Sequence, residues 1–191
     1  VNLPGVESVM ADAMSELQGA LGDRVHRVDL PPAFTEAEPA RRRINFAEMA
    51  KCYYSFERRG AAQLSTQMRD ALEEGKQILA RDYLAALDWR RVLNAGIAEL
   101  LTRCDALLCP AATGPAPLLS DNTTGSAAMN GPWTLCGVPA ITLPLMCSDE
   151  GMPMGVQLIG RRGDDARLLR VASWLMSRMA ETDEAEQRRV G

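Results

Sequence analysis

The 191-residue chain has a net charge of −4, 47% hydrophobic and 24% charged residues, a composition suited to one soluble globular domain with an ordinary core. It shows neither a basic stripe nor an apolar run of transmembrane length, which argues against nucleic-acid and membrane partners. Its five cysteines are irregularly spaced without a Cys-x-x-Cys pair and its one histidine is His26, which argues against a zinc site and fits reduced thiols in a cytoplasmic protein that needs no metal or cofactor.

The chain opens on Val1-Asn2-Leu3-Pro4 with no signal-peptide pattern, which reads as the interior of a longer sequence. Val6, Val9, Met10, Ala13, Met14, Leu17 and Leu21 recur at helical spacing up to Gly22. A short strand is expected from Arg24 to Leu30, closed by Pro31-Pro32, followed by a proline-rich, acidic loop over residues 31–40. The pattern turns helical from Ile44 to Arg59, with Gly60 as its stop. Ser65 suits the cap of a short helix through Leu72, and Gly75 separates that helix from a long one over about Gln77–Arg103. Along the long helix, Leu79, Tyr83, Ala86, Arg90, Leu93, Ile97 and Leu100 mark one face.

The character changes at Asp105-Ala-Leu-Leu-Cys-Pro110, an apolar run stopped by proline and expected as a buried strand. Residues 110–137 are rich in Pro, Gly, Ser, Thr and Asn, and a connection this long is usually functional or disordered. Val138–Leu145 reads as a strand whose Pro139 and Pro144 suit a strand end or a sheet edge. Gly151-Met-Pro153 is a turn, and Met154–Ile159 is an apolar strand. Within it, Gly155 suggests another backbone or a ligand passing close, and Gln157 is expected as a core amide with its hydrogen bonds satisfied. Asp164 suits the cap of a last helix carrying Leu168, Val171, Ala172, Leu175 and Met179, with a charged tail after Ala180. The fold class is therefore α/β, a partial mixed β-sheet of four short strands flanked by helices, with residues 1–180 as one unit and 181–191 as the tail.

Three ordered stretches resemble the C-terminal half of the amidase signature family. The first is Asp105–Pro110 with Ala116-Pro117 following. The second is Trp133-Thr-Leu-Cys-Gly137-Val-Pro139-Ala-Ile-Thr-Leu-Pro144. The third is Gly151-Met-Pro153-Met-Gly155-Val-Gln157-Leu-Ile-Gly160. Upstream, Gly75 with Asp82-Tyr83 and Arg90 is similar to that family's central helix. The resemblance implies the C-terminal half of the amidase signature fold. It also implies hydrolysis of a small-molecule amide, a carbon–nitrogen bond other than a peptide bond, by a serine nucleophile, a second serine in a cis peptide and a lysine base. Those residues lie in the family's N-terminal half, around a Gly/Ser-rich run, and this chain has no such run. Its nearest candidate, Thr123-Thr-Gly125-Ser126, has no lysine close in sequence, while Lys51 and Lys76 lie in helical segments. No catalytic residue is therefore expected here, and a triad on His26 is set aside because that residue reads as a surface histidine.

What the resemblance leaves for this half is one wall of the substrate pocket, with Trp133 and Cys136 as apolar lining and Asn130 and Thr134 as polar contacts. The alternative is an ordinary connecting loop packed on the sheet. The acidic residue by which the A-subunit branch of the glutamine-dependent amidotransferases reads its substrate is replaced by Ser126–Met129, and the family's usual Asn before Gly-x-Pro is Thr134. A general amidase is thus favoured over that branch. Two other readings stand beside it: a stand-alone, non-catalytic binding or assembly domain, and an enzyme with its own site on Cys136 or Ser126. The expected partners are a homo-oligomer or the absent N-terminal half, because unpaired strand edges invite association.

Overall fold

A computed structural model of the chain describes residues 5–190, with side chains through residue 182. The chain divides into two compact units, one formed by residues 5–31 with 96–190 and the other by Pro32–Ala95.

The first unit is built on a three-stranded sheet of order β1-β3-β2, from β1 (Leu107–Pro110), β2 (Ala140–Cys147) and β3 (Pro153–Ile159). β3 is central and apolar on both faces, as a strand covered on both sides should be. Both ladders are antiparallel, with Leu108 opposite Leu158 and Thr142 opposite Gln157. The α/β class and the partial sheet flanked by helices stand; among the described residues the sheet is antiparallel, not mixed. Its register slips between Leu143 and Met146, around Pro144. A proline cannot donate to a ladder, so its place on the edge strand β2 follows the sequence expectation.

One face of the sheet packs on helices α1 (Ser8–Leu21) and α7 (Asp165–Val190). Leu17 and Leu21 from α1 meet Leu143, Val156 and Leu158 from the sheet and Leu168, Ala172 and Leu175 from α7. The alternation of β3 sends Gln157 and Ile159 to the opposite face, alongside Leu107 and Cys109, their partners on β1. Gly155 sits where a Cβ would lie 2.8 Å from Thr142 Cγ2 and 3.2 Å from Ala111 Cβ. Its close neighbours are thus the protein's own side chains.

The expected strand over Arg24–Leu30 is not formed. Gly22–Arg24 make a 3-10 turn, and residues 25–31 run on without a ladder. Val25 is extended, at φ −126° and ψ 128°, and packs against the core cluster. Its backbone suits a strand, but among the described residues no segment pairs with it, so three strands stand where four were expected.

The second unit is helical: α2 (Ala37–Cys52), α3 (Tyr54–Gly60), α4 (Thr66–Gln77) and most of α5 (Ala80–Leu100). Helix α2 begins earlier than the sequence suggests, because Pro39 falls in its first turn, where a missing N–H is tolerated. Ser65 caps α4, accepting a 3.2 Å hydrogen bond from Met68 N. Gly75 lies inside α4 rather than after it, and lets that helix approach the α2 backbone at Phe46. Arg42 spans the same pair of helices, donating two hydrogen bonds to the Glu74 carboxylate at 2.7 and 2.5 Å while lying over the Phe46 ring.

Candidate functional site

The 110–137 segment is a loop with a short helix at its far end. Ala111 extends the β1 ladder by donating to the Gly155 carbonyl at 2.9 Å, and Glu7 N donates to the Thr113 carbonyl at 2.8 Å. Residues 116–127 are then exposed, including a 3-10 turn over Leu119–Asp121 and a left-handed Asn122 at φ 48°. Leu118 and Leu119 stand out of the fold at 71% and 98% exposure. Local hydroxyl caps steady the return: Thr123 Oγ1 accepts from Gly125 N and Ser126 Oγ from Ala128 N.

Helix α6 (Gly131–Cys136) follows, with Pro132 in its first turn and Gly137 as its left-handed stop at φ 64°. Helical spacing sorts the four nominated residues. Trp133 and Cys136, three apart, turn inward and are buried; Asn130 and Thr134, four apart, remain exposed. Asn130 Nδ2 donates to the Ala111 carbonyl at 3.2 Å, tying the start of the helix to the start of the loop.

Beneath α6 lies a buried polar group that the sequence only partly foreshadows. Gln157, 2% exposed, donates through Nε2 to the carbonyls of Pro110 at 2.9 Å and Met129 at 2.7 Å. This is the satisfied core amide the sequence suggests. Cys109, the partner of Gln157 on β1, is buried beside it, and burial pushes the pKa of its thiol up to about 12. Cys109 is therefore a neutral thiol at physiological pH. In the sequence it is just one member of an apolar run, since only the β1–β3 register sets it beside Gln157.

The other nominated groups sit in separate settings. Cys136 is buried, and Ser126 Oγ is engaged by the Ala128 amide. Lys76 is held protonated by hydrogen bonds to Glu57 and Glu73, which raise its pKa, whereas a lysine base needs a lowered one. His26 is exposed. Among the described residues, no group of three or more His, Cys, Asp or Glu could hold a metal, and no helix is long and apolar enough to cross a membrane. A cleft of about 590 Å³ lies in the helical unit, with Arg42 and Glu74 in its wall, but none of the four nominated wall residues lines it.

Residues 4–169 match the model of the Amidase family. The chain belongs to the amidase family. A fatty acid amide hydrolase of Medicago truncatula is 31% identical over 122 residues, 58% of this chain and 20% of that protein. The A subunit of a glutamyl-tRNA(Gln) amidotransferase from Parvibaculum lavamentivorans is 28% identical over 181 residues, 80% of this chain and 37% of that protein. Among solved structures, a crystal structure of an amidase superposes with a TM-score of 0.82 at 28% identity, covering 91% of this chain and 43% of the other. The chain thus spans less than half the length of each of these relatives. The three motif stretches fall on β1 with the first part of the loop, on α6 with β2, and on the turn into β3 together with β3 itself. In this family member they build the sheet and the loop stem.

Proposed function

We propose that this chain is part of an amide-bond hydrolase acting on carbon–nitrogen bonds other than peptide bonds. Its serine nucleophile, cis-peptide serine and lysine base are supplied by a segment outside these 191 residues. The observation that carries this reading is the family match over residues 4–169, joined to an amidase superposition that reaches only 43% of that amidase's length. In this reading residues 1–180 are the C-terminal part of the amidase domain and 181–191 a charged extension. The parent acts in the cytoplasm on a small-molecule amide, and this part associates with the segment that holds the catalytic residues.

The contribution of this chain is a wall of the substrate pocket. Asn130 and Thr134 offer polar contacts from the exposed side of α6, and Trp133 and Cys136 support them from the buried side. A hydroxyl and a carboxamide at such a wall can orient an amide carbonyl or its substituent without taking part in bond breaking. The amidotransferase reading has one observation in its favour, the match to the amidotransferase protein over 80% of this chain. It is weakened by Ser126-Ala-Ala-Met129, where an acidic residue would be needed to read an amino group.

The test is the coding sequence ahead of Val1, followed by an assay of the full product. A Gly/Ser-rich run with an upstream lysine, and ammonia release from simple amides that is lost when that serine is replaced by alanine, are expected. A reading frame without those residues, or amide hydrolysis by residues 1–191 alone, would overturn the proposal.

A further inference from the structure

The loop over residues 111–129 leaves the sheet and returns to it at one place, and the buried Gln157 side chain stands there. Gln157 Nε2 carries two N–H donors and no more. One goes to the Pro110 carbonyl, immediately before the loop, and the other to the Met129 carbonyl, at its end. These acceptors are 47 and 28 residues from Gln157 in sequence, so the amide ties the returning end of the loop to strands β1 and β3, which the ladder already pairs. Three further hydrogen bonds lie around it: Ala111 N to Gly155 O, Asn130 Nδ2 to Ala111 O, and Glu7 N to Thr113 O. Gly114 completes the stem, since a Cβ there would fall 2.4 Å from a Glu7 carboxylate oxygen. Beyond these ties the loop body is exposed and carries Leu118 and Leu119. Compact loops with pinned ends and an exposed body are commonly functional.

We propose that Gln157 is a positioning residue: by clasping both ends of the loop it holds the start of α6, and with it Asn130 and Thr134, in place while the body between them is free to rearrange. The proposal rests on the reading of α6 as a pocket wall for its functional meaning, but the clasp is a property of this chain by itself. Buried amide bonds of this kind resist local opening because each carbonyl they release is left unsatisfied away from water.

Hydrogen exchange on the chain itself, read at single amides, tests it without any assay of hydrolysis, so the clasp and the proposed activity can fail separately. In Gln157→Met, which keeps the volume and removes both donors, the amides of Ala111, Asn130 and Gly131 are expected to exchange roughly ten- to a hundredfold faster. Those in the middle of α7 and α4 should keep their protection. Equal acceleration everywhere would reduce Gln157 to core filling, and no change at the stem would show that it clasps nothing; either result overturns the proposal. A second variant does not depend on the first one folding. Replacing residues 116–125 by a short Gly/Ser linker removes the body but leaves the clasp. Stem protection within about threefold of the parent chain is expected, whereas collapse of that protection would show that the body, not Gln157, holds the stem.

Discussion

Gly75 stands where no side chain fits. A Cβ at that position would lie 2.0 Å from the Phe46 carbonyl oxygen and 2.7 Å from its carbon. Those are backbone atoms of α2, so relief requires moving one helix away from the other. Gly75→Ala is therefore expected to lower the thermal midpoint of the helical unit, by about 2–3 kcal/mol or more of stability. Gly19, in α1, has open space within 4 Å of where a Cβ would sit, and an ordinary helical backbone. Gly19→Ala should raise stability by roughly 0.5–1 kcal/mol. Circular dichroism melts of the two variants read the contrast, and a Gly75→Ala protein as stable as the parent would refute the close approach. The Cys109 thiol gives a second prediction at this scale. Burial raises its pKa from 9 to about 12, so between those values the unfolded chain releases a proton that the folded chain retains. Stability is unaffected by this group below pH 9 and falls as pH rises above it, by at most ~1.4 kcal/mol per pH unit. Comparing denaturation of the parent chain and Cys109→Ala between pH 8 and 10 isolates that slope, which the variant should lack. In alkylation at pH 8, the exposed Cys52, Cys104 and Cys147 should react well before the buried Cys109 and Cys136.

At the scale of elements, α4 offers the cleanest test, because one hydroxyl holds its start. Ser65→Ala removes the acceptor for Met68 N and should cost about 1 kcal/mol, while Ser65→Asp should retain most of the stability. An unchanged melting curve for Ser65→Ala would mean that tertiary packing alone sets the start of α4. That cap is readable in the sequence, as are β1 and β3, which are short apolar runs bounded by turn residues, and α7, whose apolar residues repeat at helical spacing. The misread elements share a different cause. Residues 25–31 have strand chemistry, but a strand exists only with a neighbour, and neighbours are not local information. The beginning of α2 is hidden because Ala37 and Ala40 are buried yet signal little in a proline-rich context. Helix α6 is concealed within a Gly/Pro-rich loop. Read as a loop, Asn130, Trp133, Thr134 and Cys136 form one wall. Read at helical spacing, they divide into an exposed pair and a buried pair. Gln157 is visible as an anomaly in an apolar strand, but its two acceptors are not, because they are brought to it by the sheet register and by the return of the loop.

For the whole molecule, the decisive feature is the sheet order. With β3 in the middle, β1 and β2 are both edges within the described sheet, and Val25 continues an extended segment that has no ladder. Natural proteins cover, shorten or charge such edges, since their free N–H and C=O groups pair readily with other strands. Of these devices β2 shows Pro144, which blocks pairing at one point only, and its exposed positions include the uncharged Ala140 and Thr142. The chain also spans only 20–43% of the relatives described above, so in longer family members further polypeptide is available to meet such edges. Residues 1–191 by themselves are therefore expected to self-associate. Light scattering coupled to size exclusion should give a mass above the 20.8 kDa of one chain, rising with concentration. If the edge backbone is responsible, Ala140→Lys should shift the population toward monomer, because a charge on an edge disfavours pairing with a second edge. Placing the same charge at an exposed position on a helix, such as Ala166→Lys on α7, should not. A parent chain that remains monomeric across the concentration range would show that its edges are already protected, and the association proposed with a catalytic segment would then have to use another surface.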